Sequence, residues 1–497
     1  MKHKQLKIII GSSLFFFVII LLWWFTQQRI KIESIQLTSP NNYAFQENIN
    51  IKLNHPASVF IRYWKDGSPE KYKTIPTEKG ISHTVHLLLL ETNTNYQYSV
   101  VIGNLIPVSS KTFSFHTREQ SPWLKFNWIK EERPHDASAL GDGMIMLCYA
   151  RKPGYIAMVD GKGNIRWYWQ VDDIGVRVAN FTPQGTILAM LRPPVRDVIN
   201  DVPKNRVQIL NEMKKPIRRG KIGFAGGTAI AEIDLTGKQL WRYDLDKDHE
   251  NRIKSIHHDV RMDEQKLLYS LYRPAKVVDM TKTGGSDVDT LIGDGIIVLD
   301  ESGKEIEKWS IWDHWDIEKD PYIKRFSYDR FHANALNFDT DGNYLLSLAI
   351  EDQIWKINKE TGKVMWKLGK GGDFKMDTTC YFSFQHNVHI NQFGDLMLFD
   401  NDINTSVSRI LSFKIDTTNM TAQTEINITL PKSKFTSRMG SAYILPNDNF
   451  LICSSKTGSV FVMNKEGVVL WELNSYFVPY RAEFVSNKIW NKYFIKE

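Results

Sequence analysis

Short runs of alternating apolar and polar residues recur as a repeating unit in the part of the chain that follows Ser121. Each unit holds an apolar strand, a turn from Asp or Asn to Gly, and a second strand that usually carries Trp. Another hairpin-like element precedes each of them, so one unit predicts four strands. The six units have these second hairpins at Gly154, Thr228, Asp294, Asp352, Ser408 and Gly458. Four strands repeated six times predict an all-β fold, a six-bladed β-propeller.

Tryptophan recurs at one place in this repeat. It occupies the last predicted strand of all units except the fifth, as Trp167, Trp241, Trp309, Trp366 and Trp471. Two longer insertions, at about 192–226 and 312–331, interrupt the pattern. Because a propeller carries such insertions as loops on one face, we expect the functional site on that face.

The residues before the repeat, from Ile30 to about Thr117, alternate in short runs that break at Pro, Asn, Gly and Asp. Six or seven strands in a segment of this length predict a small β-sandwich of the fibronectin type III kind. The segment contains no evident cluster of catalytic residue types, so we expect the chemistry to lie in the propeller.

An uncharged apolar run, Ile8–Phe25, lies near the amino terminus. At about 1.5 Å per residue it nearly spans a hydrocarbon core of about 30 Å. Lysines precede it and a Trp pair ends it, which predicts a cytoplasmic tail. Since no small-residue cleavage site follows, an N-terminal transmembrane helix that stays as a signal anchor is favoured over a removed signal peptide. We therefore divide the chain into an anchor at 1–28, a sandwich at 29–118 and a propeller at 119–497, the bulk being extracytoplasmic, in the periplasm or at the cell surface.

Composition narrows the class of protein only a little. Hydrophobic residues make up 42% and aromatic residues 12% of 497, which excludes a disordered chain. Three cysteines are too few for a disulfide scaffold or a zinc-cluster protein, and Cys148 and Cys453 lie in apolar strands, which predicts buried thiols. The net charge of +7 comes without a basic stripe, so no nucleic acid partner is expected.

A histidine occupies the same place in the first strand of several units. The strands begin HHDV, FHAN and QHNV, which aligns His258, His332 and His386, and PHDA adds His135 as a fourth candidate. Equivalent positions of the innermost strands surround the central channel of a propeller. Only 13 histidines occur in the chain, so this alignment is not an effect of composition. We therefore expect these side chains around one cavity.

Two interpretations of these histidines other than a catalytic one stay open. A single histidine at a strand start is usually a surface or turn residue, and three histidines can hold zinc. Against a metal site, they come from separate blades and no Asp or Glu accompanies all of them. His257 has the opposite alternation to His258, which favours packing inside the blade. We keep it, with Asn334 and Asn387, as a candidate for substrate binding, and expect neither a metal ion nor a cofactor.

Four segments together resemble the bacterial arylsulfate sulfotransferases: HHDV, FHANALNFDTDGNYLLSL, FSFQHNVHINQFGDLMLFDN and YRAEF. The resemblance covers about Trp123–Phe484, and the preceding sandwich is similar to the layout of that family. It implies transfer of a sulfuryl group from an aryl sulfate ester to a phenol without a nucleotide sulfate donor. It also implies that His386 is the transiently sulfated nucleophile and that His258 and His332 assist.

Imidazole chemistry is compatible with what the resemblance implies. Much of a histidine population is unprotonated and nucleophilic at neutral pH. Attack on sulfur develops charge on the sulfuryl oxygens and on the departing phenolate, which donor groups and cations stabilise. A second histidine can protonate the leaving oxygen and later deprotonate the incoming phenol. The mechanism expected is therefore a two-step, ping-pong transfer through a sulfohistidine.

The chain departs from the family pattern at two places. The family has an Arg on the strand after the blade-four histidine, and Ala349 stands there in this sequence. Among the arginines of other blades, Arg273 and Arg438 are candidate replacements, with Arg151 and Arg192 behind them, although each is also explained as a surface residue. The disulfide found near the nucleophile in some members has no counterpart, because Cys380 is alone in its segment.

Two other functions stay open beside the sulfotransferase. One is a non-catalytic propeller, tethered to the membrane as a scaffold or ligand-binding protein. The other is a quinoprotein dehydrogenase, since the turn KINKETGKVMWKLG is similar to the repeats of those propellers. Six units instead of the usual eight, and no vicinal cysteine pair, argue against the latter. A homodimer through the sandwich also stays open.

Overall fold

The computed structural model describes residues 30–40, 44–103, 107–121, 124, 128–129, 136–193, 226–245, 256–323 and 329–497. The chain forms two compact units. The first ends at Ser121 and also takes Trp490–Glu497, and the second ends at Ile489.

The first unit is built around one very long strand. Its strands are β1 (Ile32–Thr38), β2 (Glu47–Lys65), β3 (Tyr72–Thr74), β4 (Gly80–Leu87), β5 (Asn95–Gly103), β6 (Val108–Ser109) and β7 (Phe113–His116). The first half of β2 pairs with β1 and β4, and its second half pairs with β3 and β5, all antiparallel. Buried and exposed side chains alternate along β2 because successive residues point to opposite faces.

Among the described residues, the second unit contains six blades of four antiparallel strands, and two of these blades gain a fifth strand at the outer edge, so the unit is a six-bladed β-propeller. The structure therefore confirms the all-β class and the blade count predicted from the repeat. The strands of the first half are β8 (Trp128–Ile129), β9 (Met144–Tyr149), β10 (Gly154–Val159), β11 (Ile165–Val171), β12 (Gly175–Phe181), β13 (Ile187–Arg192), β14 (Ala229–Ile233), β15 (Gln239–Asp244), β16 (Ile256–Met262), β17 (Leu268–Tyr272), β18 (Ala275–Val278), β19 (Asp289–Ile292), β20 (Gly295–Leu299) and β21 (Glu305–Ser310).

The strands of the second half complete the ring and end in the closing segments. They are β22 (Ala333–Phe338), β23 (Tyr344–Leu348), β24 (Gln353–Ile357), β25 (Val364–Gly369), β26 (Lys375–Met376), β27 (His386–Ile390), β28 (Leu396–Asp400), β29 (Arg409–Asp416), β30 (Thr421–Thr429), β31 (Ser441–Ile444), β32 (Phe450–Ser454), β33 (Ser459–Met463), β34 (Val469–Ser475), β35 (Ala482–Val485) and β36 (Phe494–Lys496). The innermost strands of blades two to six are β12, β16, β22, β27 and β31. Strands β18 and β19 form an added hairpin between β17 and β20.

Blade one takes its innermost strand from the far end of the chain. Strand β35 pairs antiparallel with β9, so that Ala482 lies opposite Leu147. The sequence placed the start of this blade at His135, and that assignment is wrong, because Ala137–Leu140 forms a 3-10 turn instead of a strand. His135 itself lies outside the described residues. A local hairpin pattern cannot show that a distant strand will occupy the inner edge.

The turns of the blade hairpins follow the predicted Asp-to-Gly pattern. In blade one, the Asp160 carboxylate accepts hydrogen bonds from the N–H groups of Lys162 and Asn164, and Gly163 has a φ of 75°. Asp234 and Asp300 make the same arrangement in their own blades. An Asp side chain that caps its own turn, followed by a residue free to adopt positive φ, fixes each hairpin locally.

The recurring tryptophans join neighbouring blades. In three blades the indole N–H donates to a carbonyl in the hairpin turn of the next blade around the ring. The pairs are Trp167 with Leu235 (2.9 Å), Trp309 with Gly362 (2.7 Å) and Trp471 with Gly161 (2.8 Å). Trp241 departs from this pattern and donates to Glu232 of its own blade. The Trp repeat therefore has a structural cause, because each such bond fastens one blade to the next.

The three cysteines are free and buried, which confirms the prediction for Cys148 and Cys453. Burial raises the pKa of both thiols, that of Cys453 to about 12. Their thiolates are therefore scarce at neutral pH.

The last residues of the chain return to the first unit. Strand β36 pairs antiparallel with β3, so these residues do not belong with the propeller. The fibronectin type III assignment of the first unit stays a prediction. No helix among the described residues is long and apolar enough to cross a membrane. The anchor predicted at Ile8–Phe25 lies outside those residues, so membrane attachment and extracytoplasmic location stay predictions as well.

Replacing Trp471 with Phe should lower the free energy of unfolding by about 1–3 kcal/mol, because the Gly161 carbonyl loses its donor. Trp366→Phe is the matched control, since Trp366 is buried at the same repeat position and none of the described residues accepts its indole N–H. Thermal unfolding of both variants measures the difference. Equal losses would show that the bond between blades contributes nothing beyond packing.

Candidate active site

The innermost strands of blades two to five each begin with an irregularity in pairing. The register shifts after Val176, His257, Ala333 and His386. At or beside these places His258 has a φ of 61°, His332 of 52° and Asn387 of 55°. Positive φ is uncommon for such residues, and a bulge re-aims the side chain of the residue that leaves the ladder.

The three aligned histidines form one cluster of rings together with Phe384. The rings of His258 and His332 lie 5.0 Å apart, centroid to centroid, at 74°. The Phe384 ring stacks on His332 at 5.8 Å and contacts His386 at 6.1 Å. The structure therefore brings together three of the four histidines that the repeat alignment selected, and the fourth, His135, lies outside the described residues.

His386 is held as a neutral imidazole with a defined tautomer. Its Nδ1 lies 2.7 Å from Asn401 Oδ1 and 3.0 Å from the Phe384 carbonyl oxygen. Because both partners are acceptors, Nδ1 carries the proton. Nε2 accepts a hydrogen bond from the Met439 N–H at 3.2 Å, so it has the lone pair. Burial lowers the pKa of His386 to about 3, which keeps the ring unprotonated at neutral pH.

His332 is paired with a carboxylate. Its Nδ1 lies 2.8 Å from Asp329 Oδ2, and Arg273 Nη2 lies 3.5 Å from the other oxygen of Asp329. Burial opposes ionisation of Asp329, but the charges of His332 and Arg273 hold its pKa below the ordinary value. The ionised carboxylate fixes a proton on Nδ1 of His332 and leaves Nε2 for another partner.

His258 is backed by a second histidine and a second carboxylate. Its Nδ1 lies 2.8 Å from Nδ1 of His257, and His257 Nε2 lies 3.3 Å from Asp294 Oδ1. Burial lowers the pKa of both histidines well below the ordinary value. Burial and the nearby charge of Asp329 raise the pKa of Asp294 to about 7.

A family model described as Arylsulfotransferase (ASST) matches residues 130–476, which is more than half of the chain. The chain belongs to the arylsulfotransferase family. This confirms the resemblance read from the sequence, and it supports a sulfotransferase in general. No curated protein matches the chain.

Three solved structures resemble this chain distantly. A protein of unknown function from Bacteroides caccae is 11% identical with a TM-score of 0.40, over 69% of this chain and 98% of that one. A streptogramin B lyase structure is 11% identical with a TM-score of 0.34, over 88% and 100%. A catalytically inactive virginiamycin B lyase from Staphylococcus aureus with quinupristin is 10% identical with a TM-score of 0.30, over 61% and 70%.

The other candidate residues have different surroundings. The side-chain amides of Asn334 and Asn387 are buried and donate to the Gln385 carbonyl and the Tyr443 hydroxyl, so each joins two blades. Arg438 is exposed. Its backbone carbonyl oxygen accepts a hydrogen bond from the Thr436 hydroxyl, and its guanidinium makes no hydrogen bond to another described residue. No three His, Cys, Asp or Glu side chains in the described part of the chain are arranged to hold a metal ion.

An arginine that the sequence analysis missed lies beside the histidine cluster. Arg177 occupies the bulge of β12, and its guanidinium lies 4.3 Å from the ring centre of Tyr480 and 3.5 Å from Met439 Sδ. The Tyr480 ring is in turn 6.0 Å from that of His258. The hairpin pattern of blade two begins at Asn180, five residues after the start of β12, so the repeat alignment does not include Arg177. Alignment from Gly175 would have revealed Arg177.

The residue at position 349 is apolar, and so are its surroundings in the folded protein. Ala349 is fully buried and packs with Ile350, Phe384 and Ile403. The described residues of this cluster include no cation that could take the place of the family arginine. Arg177 therefore brings a positive charge to the histidines from a different blade.

The stability of the protein should depend on pH through His386. Its pKa is about 3 in the folded chain, against about 6.5 unfolded, so the unfolded state takes up the proton first as pH falls. This contribution is complete above about pH 6.5 and is lost progressively toward about pH 3. His386→Gln should reduce the slope of unfolding free energy against pH by up to about 1.4 kcal/mol per pH unit.

Urea unfolding of both proteins at several pH values between these limits measures that slope. His116→Gln, a change at an exposed histidine of the first unit, serves as the control and should leave the slope as it is. An unchanged slope for His386→Gln would contradict a buried neutral imidazole.

Proposed function

We propose that this protein moves a sulfuryl group from an aryl sulfate ester to a phenol by a ping-pong mechanism through a sulfohistidine on His386. The single observation that carries the proposal is the state of that ring. A buried neutral imidazole, with Nδ1 protonated and Nε2 bearing the lone pair, is ready to attack sulfur. Family membership supports the general class of reaction.

In the first half-reaction, Nε2 of His386 attacks the sulfur of the donor. The N–S bond forms, the bond from sulfur to the aryl oxygen breaks, and the phenolate takes the electron pair. The ring of the adduct carries positive charge, and the Asn401 and Phe384 oxygens at Nδ1 stabilise it. The Met439 N–H must leave Nε2 for this attack, and it then becomes a donor available to a sulfuryl oxygen.

The two remaining histidines supply candidates for proton transfer. Each has Nδ1 occupied, His332 by Asp329 and His258 by His257. Each therefore has Nε2 left for the aryl oxygen. A proton given to the leaving phenolate in the first half-reaction is recovered from the incoming phenol in the second.

Arg177 is proposed to stabilise the sulfuryl oxygens in place of the family arginine. It lies beside Met439, whose N–H contacts the nucleophile, and beside Tyr480, which packs near His258. A fixed cation in a site shielded from water stabilises a charge that develops in the transition state more strongly than it would in solution.

The central experiment is mass spectrometry after incubation of the full-length protein with 4-nitrophenyl sulfate. The peptide that contains His386 should gain one sulfuryl group, and addition of phenol should remove it. His386→Ala should abolish both the label and transfer. His389→Gln is the matched control, a buried histidine on the same strand, and should keep both.

A label on another histidine would overturn the assignment of the nucleophile. Absence of any label together with absence of transfer would favour the non-catalytic propeller instead.

Arg177→Gln should lower kcat/KM for 4-nitrophenyl sulfate by about 10²–10³, the range found when a donor to a developing oxyanion is lost. The kcat/KM of Arg177→Lys should lie between those of the wild type and Arg177→Gln, because Lys keeps the charge without the planar donor fork. Arg166→Gln, on the outer strand of blade one, is the control and should be fully active. Full activity of Arg177→Gln would exclude the proposed role.

A further inference from the structure

Asp294 is a buried carboxylate that the mechanism so far does not use. Its side chain is 1% exposed, and no side chain among the described residues is in hydrogen-bonding geometry with either oxygen. Buried polar groups without partners are rare in native proteins and call for an explanation. His257 Nε2 lies 3.3 Å from Asp294 Oδ1 and likewise has no hydrogen-bond partner in the described part of the chain.

These groups form a chain that ends at the histidine cluster. Asp294 contacts His257, Nδ1 of His257 contacts Nδ1 of His258 at 2.8 Å, and the His258 ring packs against that of His332. Only one proton fits between two Nδ1 atoms at this distance. The position of that proton therefore sets the tautomer of both rings together.

Two arrangements of protons satisfy the chain once the 3.3 Å contact between His257 Nε2 and Asp294 Oδ1 aligns as a hydrogen bond. When Asp294 is ionised, His257 donates from Nε2 to the carboxylate and accepts at Nδ1, so His258 has its proton on Nδ1 and a lone pair on Nε2. When Asp294 is protonated, it donates to His257 Nε2, His257 donates from Nδ1, and His258 carries its proton on Nε2. Both rings stay neutral in both arrangements, as their burial requires.

We propose that Asp294, His257 and His258 form a proton relay in which Asp294 stores the proton that His258 exchanges with the aryl oxygen. The inference rests on the proposed function and assigns the acid–base role within it to His258. Asp294 and His257 are positioning and relay residues, since neither touches the substrate.

The number of protons is conserved along the relay in both half-reactions. In the first, the proton on His258 Nε2 passes to the leaving phenolate, His257 Nδ1–H passes its proton to His258 Nδ1, and Asp294 passes its proton to His257 Nε2. In the second, a phenol gives its proton to His258 Nε2, every transfer reverses, and Asp294 is protonated again. The phenolate oxygen then bonds to sulfur as the bond from sulfur to His386 breaks.

The charges around the relay support switching near neutral pH. Asp329 and His332 face Asp294 from the next blade, Arg273 lies beside them, and Arg177 faces His258 from blade two. Burial and the charge of Asp329 raise the pKa of Asp294 to about 7, while Arg273 and the Ala333 N–H act against this. The protonated and ionised arrangements are then both populated near neutral pH.

The test compares the wild-type protein with Asp294→Asn, which cannot exchange a proton. For phenyl sulfate as donor, wild-type kcat/KM should fall as pH rises through about 7, and for the phenol acceptor it should rise, since the two half-reactions need opposite arrangements. Asp294→Asn should abolish both pH dependences and lower the rate at least about tenfold. The loss should be smaller with 4-nitrophenyl sulfate, whose phenolate is a better leaving group.

Asp263→Asn is the control, because this Asp lies just after the other end of β16 and should leave rate and pH profile unchanged. If Asp294→Asn does not fold, His257→Gln breaks the relay at its centre and should give the same losses. A wild-type pH profile and rate in either variant would overturn the relay.

Nitrogen NMR of ¹⁵N-histidine-labelled protein separates this outcome from failure of the proposed function. Nε2 of His258 should change from the protonated to the unprotonated type near pH 7 in the wild type and not in Asp294→Asn. That change without any sulfuryl transfer would support the relay and refute the sulfotransferase. Sulfuryl transfer without this change at His258 would refute the relay and support the sulfotransferase.

Discussion

The pairing of β35 with β9 is the interaction on which the rest of the site depends. It closes the ring, and it also inserts the two residues before β35 among the inner strands. The Tyr480 hydroxyl donates to the Asn334 carbonyl, and Arg481 Nη2 lies 2.8 Å from Asp259 Oδ2 in the interior. Removing one partner of a buried ion pair is strongly destabilising, so this contact commits the ring to one closed arrangement.

The three channel histidines follow one rule although their partners differ. Nδ1 of each ring is occupied, by Asn401 for His386, by Asp329 for His332 and by another imidazole for His258. Each therefore offers the same nitrogen, Nε2, with a protonation state set by its partner. An amide oxygen, an ionised carboxylate and a second ring make three chemically distinct imidazoles from one residue type.

The sequence could predict what is local or repeated. The hairpin turns at Asp160 and its counterparts and the aligned histidines recur from unit to unit. Comparing these units with one another within the one sequence also gives the blade count. Arg177 was within reach of the same alignment. Asp294 and Asp329 were not, because they lie outside the aligned strand and reach the histidines only through the packing of blades three and four. Ring closure by β35 depends on a contact between residues more than 300 positions apart.

The return of β36 to β3 has a consequence for the order of folding on the ribosome. Strand β35 completes the propeller and β36 completes the sheet of the first unit, and both follow the other strands in chain order. Neither unit can reach its final set of strand pairs until these two strands have been synthesised. Until then each presents an unpaired sheet edge, so the growing chain depends on protection from aggregation while the blades between them are made.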